Sequence, residues 1–268
     1  MAIKFTSVKV VPRFDQSPTG GFDVYWTVNA GGSAPTFQVS IADTESGPWT
    51  QLLQTRTSDN FLLNAGAQKI NLGSGLTWFK IGAYIGSSLS AESLPADARN
   101  GMDRRIYLQY REILRRWKLT FDKTPMLPGF LFRRKFYGSK CTQCTDEILA
   151  TPASSSCQVC FGTGIVGGYH TPISMRGDWS AQTAPRVVNK ISKEPAGPQQ
   201  VHVAKIKIFG VPDAKSEDLW VDFGTKVIHR IEEVIPEQWG GSVVTQTIVV
   251  SKLPPHHPAY KLTIPSSP

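Results

Sequence analysis

The chain has 268 residues, 40% of them hydrophobic and 19% charged, with 23 glycines and 19 prolines. This is a globular, turn-rich composition that excludes a disordered or collagen-like chain. The formal charge of +8 is concentrated, because residues 99–140 hold 12 Lys/Arg against 3 Asp/Glu while the remainder is nearly balanced. Such a segment seeks phosphate or an acidic protein surface. No apolar run nears the ~20 residues that span a bilayer, and the opening MAIKFTSVKV lacks the apolar core of a secretory leader. The expectation is therefore a chain made in the cytoplasm, with no membrane partner and no structural disulfides.

Residues 1–98 read as short strands. Phe22, Val24, Trp26 and Val28 alternate with Asp23, Tyr25 and Thr27, the period of a half-buried strand. Further strands are expected at 36–41, 49–54, 68–72 and 77–84, separated by turn-forming clusters such as Ser46-Gly47-Pro48. About seven short strands in under 100 residues predict a sandwich. The order VYWTV, then FQVSIADTESGPWTQL, then WFKIGAYIGSSLSAES resembles an immunoglobulin or fibronectin III-like module, and the resemblance implies Trp26 and Tyr84 as its core aromatics.

Residues 99–140 change character. Ile106, Tyr110, Ile113 and Trp117 form a helical stripe over 102–118, with Asp103 in its first turn and Arg104, Arg105, Arg111, Arg115 and Arg116 over the remaining surface. Arg133, Arg134 and Lys135 interleave with Phe130, Phe132, Phe136 and Tyr137. These eight basic residues are the candidate contacts to an acidic partner or to DNA, since guanidinium forks suit carboxylate and phosphate. The plainer reading makes the helix an ordinary solvated one and the aromatics strand core.

All four cysteines fall within residues 141–160, as Cys141-Thr-Gln-Cys144 and Cys157-Gln-Val-Cys160. Cysteines two residues apart wrap two thiolates around one face of an ion, and two such knuckles complete a tetrahedron. Soft thiolates favour zinc or iron–sulfur over magnesium or calcium. The expectation is a closed, structural Zn2+ site, with iron as the competing metal. Four protein ligands leave no position for a reacting water, so no metal catalysis is expected. Such a site supplies folding free energy to a segment, 141–174, too short for its own core.

Two families share this motif. Cys157-Gln-Val-Cys160-Phe-Gly162-Thr-Gly164 is similar to one repeat of DnaJ-type chaperones, but those carry four repeats and this chain has one, with no His-Pro-Asp anywhere. Over residues 102–173 the chain resembles a zinc-binding segment of tailed-bacteriophage structural proteins. The matching positions are Cys141, Cys144, Asp146, Cys157, Cys160, Gly162, Thr163, Gly164, Gly167, Gly168 and Tyr169, and the preceding Arg-Arg-Trp helix also fits. The resemblance implies a virion component of the neck or head-tail connector type, present as a ring of copies.

Residues 175–200, polar and rich in Gly and Pro, predict an extended arm. Strands are expected again at 201–209, 219–223, 226–234 and 243–253, with a hairpin turning at Gly224-Thr225 and a Pro-rich tail to 268. This order is similar to the small β-barrels of phage head-closure and neck proteins. The fold class expected is thus mainly β: a sandwich at 1–98, a basic linker helix within 99–140, a four-cysteine zinc hairpin at 141–174, an arm at 175–200 and a barrel-like region at 201–268.

Catalytic signals are thin. The five histidines are scattered without partner spacing, and no phosphate-binding loop, nucleophile elbow or HExxH helix occurs. Asp218, Asp222, Glu232 and Glu233 read as outward strand positions, and His256-His257 as a solvated turn. The leading expectation is a non-enzymatic virion protein that assembles with itself as a ring and with portal, head-closure or tail proteins, and packaged DNA is a further candidate partner of the basic segment. The rival is a zinc-ribbon nucleic-acid-binding regulatory protein. Against the rival, no Lys or Arg lies between Cys141 and Cys160.

Overall fold

The structure, a computed structural model, describes residues 3–13, 21–31, 33–53, 55–65, 77–123, 126–144, 156–179, 186–189 and 200–267. The chain is mainly β, 47% strand, with one α-helix among the described residues. It divides into two compact units, one of Met1–Glu112 with Phe136–Lys140, the other of Ile113–Lys135 with Cys141–Pro268.

In the first unit, β1 (Lys4–Arg13), β2 (Gly21–Asn29) and β5 (Phe61–Ala65) form one antiparallel sheet in the order β1-β2-β5. A second sheet runs β4-β3-β6-β7 from β3 (Thr36–Ala42), β4 (Thr50–Gln51), β6 (Trp78–Ile85) and β7 (Ser88–Glu92), and β8 (Ala96–Asp97) also pairs with β6. Both sheets feed one apolar cluster. Val24, Trp26 and Val28 of β2 meet Phe37, Val39 and Ile41 of β3 and Phe79 and Ile81 of β6, so the apolar set read in β2 faces this cluster, although Tyr25, read on the other face, is buried too. Phe37 is ringed edge-on by Trp26 and Tyr137. Tyr84, by contrast, packs under the Arg56 guanidinium 3.6 Å from its centroid and lies outside the buried cluster. The side-chain amide of Asn100 exchanges two bonds with the backbone of Val10, at 3.0 and 2.7 Å, and so pairs β1 as a neighbouring strand would. The expected strand at 68–72 lies outside the described residues.

The α-helix, α1 (Arg104–Lys123), starts later than the stripe implies and runs on to Lys123 instead of ending at 118. Asp103 stands before it as the N-cap, its Oδ1 accepting the Arg105 N–H at 2.8 Å. The buried line is Tyr110, Leu114 and Phe121, while Ile106 is 40% exposed. The apolar residues of this helix outnumber one stripe, and packing selected a line rotated away from Ile106.

In the second unit, β9 (Leu127–Phe132), β10 (Ile173–Asp178), β12 (Gln200–Phe209), β13 (Leu219–Asp222), β14 (Ile228–Trp239) and β15 (Ser242–Lys252) close into a six-strand barrel, ordered β10-β9-β13-β14-β15-β12 and sealed by Gly177 and Asp178 pairing Ile208 and Lys207. β11 (Arg186–Asn189) pairs the other end of β12. Strands β10 and β11 lie within or next to the stretch that composition reads as an arm. In β10 the alternation Ile173, Met175, Gly177 faces inward, a pattern short enough to be hidden among polar neighbours.

Register places Leu131, Trp220, Ile231, Val250, Ile248 and Ile206 on one face, and all six are fully buried. The Trp220 indole fills the interior because two neighbouring positions have no side chain. A Cβ on Gly129 would stand 2.8 Å from Trp220 Cε2, and one on Gly177 2.6 Å from Ile206 Cγ2. The opposite face of β9 and β13 forms a second cluster of Phe130, Phe132, Leu219 and Val221. The C-terminal segment covers it. A 3-10 helix (Pro258–Lys261), capped by His257, seats Ala259, and Tyr260, Leu262 and Ile264 pack beside it. The Pro-rich tail is thus part of this unit's own core as far as Ile264.

Two acidic positions read as outward are inward. Asp218 is 1% exposed, and its carboxylate accepts the N–H groups of Arg134 and Lys215, both at 2.8 Å. Asp222 is buried and holds the β13–β14 turn through Gly224 N–H and Thr225 Oγ1. Each ties down a loop, as short acidic side chains do at turns.

Candidate metal centre

The cysteines lie at the far end of the β9–β10 hairpin. Its two arms pair from Leu127 against Gly177 to Leu131 against Ile173. Beyond that ladder, Arg134 bridges Tyr169, Lys135 N–H donates to Gly168 O at 2.9 Å and His170 N–H to Arg133 O at 2.8 Å. The barrel therefore presents the loop on a rigid stem, and Cys141 N–H closes it on Gly164 O at 2.9 Å.

Glycines set the path of the second knuckle. Phe161, Gly162, Gly164, Gly167 and Gly168 all have left-handed backbones, so the chain coils back on itself directly after Cys160. Gly168 passes so near that a Cβ there would be 2.7 Å from the Cys160 carbonyl oxygen. Thr163 locks the coil: its N–H and its hydroxyl both donate to Cys160 O, at 3.0 and 2.7 Å.

These constraints bring four sulfurs together. All lie within 4.8 Å of one another, with Cys141 to Cys157 at 3.8 Å and Cys144 to Cys160 at 3.1 Å. Tetrahedral thiolates at ~2.3 Å from zinc stand about 3.8 Å apart, within the span of those separations. Cys141, Cys144 and Cys160 are buried and Cys157 is half-buried, with Val159 against them. The donor set fits a soft divalent ion. The backbone N–H groups of Cys160 and Val159 point at the Cys157 sulfur and pull its thiol down to about 6. The Cys144 thiol is pushed up by its hydrogen bond to Cys160 and by burial. Four crowded sulfurs can neither hydrogen-bond enough partners nor carry four charges alone, and a cation resolves both demands. Four thiolates close the coordination sphere, and such a site holds structure.

The eight basic candidates are dispersed. Arg104, Arg105, Arg115 and Arg116 are exposed on α1, and Arg111 is half-buried. Arg133 is 6% exposed. Arg134 ion-pairs with Glu217, and Lys135 is half-buried. A charge run that enters a β-ladder is partly consumed by its neighbours, which the sequence alone does not show. His170 is buried and His229 is half-buried against Trp179, its pKa lowered by burial. Neither belongs to the cysteine cluster. Sequence reasoning placed Asp218 outward, and its signal is weak: an acidic residue that follows another, Glu217, at the start of an apolar run.

Comparison of the chain with models of known families, with curated proteins and with solved structures gave no match.

Proposed function

We propose that the protein is a non-enzymatic structural component of a tailed phage particle, a neck or head-tail connector that assembles as a ring between portal and tail. The observation that carries this reading is the cysteine loop itself. Among the described residues shared with phage virion segments, the four cysteines hold their sulfurs within 4.8 Å of one another, and Gly162, Thr163, Gly164 and Gly168 shape the coil that follows Cys160. The ion is zinc, and its role is to stiffen the loop. The barrel on which the loop stands supports the same reading, since small barrels of this kind resemble those of head-closure and neck proteins.

The first unit is an immunoglobulin or fibronectin III-like module in this account. Its sheets, β1-β2-β5 and β4-β3-β6-β7, differ from the constant-type order in one respect: the fourth strand pairs β3 instead of extending the first sheet. In a particle it serves adhesion or spacing.

The regulatory zinc-ribbon reading is disfavoured by Arg133, which is buried, and by Arg134, which is held by Glu217. The test is imaging of the purified protein mixed with portal rings in negative stain. The proposal expects an added ring layer on the portal. Dispersed protein that instead shifts duplex DNA in a salt-dependent manner would support the rival.

A further inference from the structure

Beside the second knuckle, the barrel unit carries a cleft of about 110 Å3. Arg134, Tyr169, Arg230 and His257 line it, over an apolar wall of Leu219 and Leu253. All four polar groups are hydrogen-bond donors there. His257 Nδ1 accepts the Ala259 N–H at 3.2 Å, so the neutral imidazole carries its proton on Nε2. Arg230 gives Nε and Nη2 to Glu232, at 3.0 and 2.9 Å, and its Nη1 hydrogens lie outside that bond. Tyr169 is half-buried, and its hydroxyl lies within the electrostatic reach of both guanidiniums and of the buried Asp218 carboxylate behind them. Arg230 also lies near enough to His257 to disfavour a proton there.

One acceptor meets these donors at the mouth. Glu217 forms an ion pair with Arg134, though its own side chain is 58% exposed. Its backbone is left-handed, φ 70°, a conformation a glutamate adopts only when its surroundings hold it. That hold is visible: Glu217 N–H donates to Ile231 O at 2.8 Å. Arg134 is fixed from behind, its backbone N–H on Asp218 and its Nη2 reaching Thr163 O at 3.5 Å.

We propose that this cleft is a binding site for a small oxyanion group, a carboxylate or a phosphate, and that the Glu217 carboxylate is its displaceable internal occupant. A guanidinium fork is matched to either anion, and the apolar wall strengthens a charge-assisted bond made against it. The cleft volume leaves ample room for such a head group. The site is built by Arg134, Tyr169, Arg230 and His257, and it depends on no metal bound at the cysteines for its donors.

The test uses the full chain at low ionic strength, titrated separately with inorganic phosphate and with acetate and followed by amide chemical shifts. Saturable shifts are expected at Arg134, Tyr169, Arg230 and His257 for one anion or both, and the stronger arm names the preferred class. Glu217→Gln removes the competing carboxylate and should tighten binding about 3- to 10-fold, whereas Arg230→Gln should weaken it about 5- to 10-fold. Arg56→Gln, in the other unit, should change nothing. Opposite movement of the two cleft variants is the signature of this site. Shifts absent from those residues with both anions, or affinity equal in all three variants, would overturn the proposal. Unchanged amide spectra of Glu217→Gln outside the cleft verify that the variant is folded.

Discussion

The position a Gly168 side chain would occupy is 2.7 Å from the carbonyl oxygen of Cys160, and Gly168 has a φ of 59°. The backbone that carries the last ligand and the backbone that leads out of the loop are therefore in contact. Gly168→Ala should cost about 1–3 kcal/mol through the left-handed strain alone, and more through the clash with a backbone oxygen. Gly86 has nearly the same φ, 60°, and open space around it, so Gly86→Ala isolates the strain. Thermal unfolding of the metal-loaded protein should rank Gly168→Ala below Gly86→Ala, and only the former should lose metal faster to a competing chelator.

The barrel interior makes a second prediction. Gly129→Ala places a methyl against the Trp220 indole and the Val221 carbonyl, and overpacking of this kind costs about 1–3 kcal/mol or more. Trp220→Phe alone leaves a void and is also destabilising. Combined, the two changes should be less harmful than their sum, because the smaller ring admits the methyl. Additive losses in a denaturant double-mutant cycle would contradict the described contact.

Asp218 supplies a pH dependence. Burial is the largest influence on it and raises its pKa to about 6, against the opposing bonds from Arg134 and Lys215. In the unfolded chain an aspartate titrates near ~3.9. The folded state thus binds the proton more tightly, and between ~4 and ~6 stability falls as pH rises. Asp218→Ala removes this titration and leaves two N–H groups without their acceptor. The stability difference between wild type and Asp218→Ala, measured at saturating metal, should be largest near pH 4 and shrink to a plateau above pH 6.

The C-terminal segment is testable by truncation. Removing residues 258–268 uncovers Phe130, Phe132, Leu219 and Val221 and deletes the Tyr260 hydroxyl, which donates to Leu253 O at 3.2 Å. Several buried apolar groups are lost together, so the truncated barrel should unfold at markedly lower denaturant and expose surface to a hydrophobic dye.

Much of this architecture is legible in local pattern. The apolar set of β2, the hairpin turn at Gly224-Thr225 and the paired cysteines are each fixed by near neighbours, and the structure has them where the pattern puts them. The features that escape are those decided by distant partners. Strand β1 is interrupted in pattern by Lys4, Ser7 and Lys9 and is held by pairing with β2. Asp218 looks solvent-facing until Arg134, 84 residues away, is seen to bond it. The tail reads as a free end because its short apolar run, Ala259 to Ile264, is bracketed by prolines, and its partners Phe130, Phe132, Leu219 and Val221 are distant in sequence. For the basic segment, sequence gives the charges but not Glu217, which takes one of them.

The most direct measurement is the metal content of the chain purified without added chelator, by elemental analysis together with native mass spectrometry. The account predicts one zinc ion per chain, released by a strong chelator together with the chemical-shift dispersion of residues 156–170. A metal-free chain whose loop and barrel spectra are the same with and without chelator would contradict it.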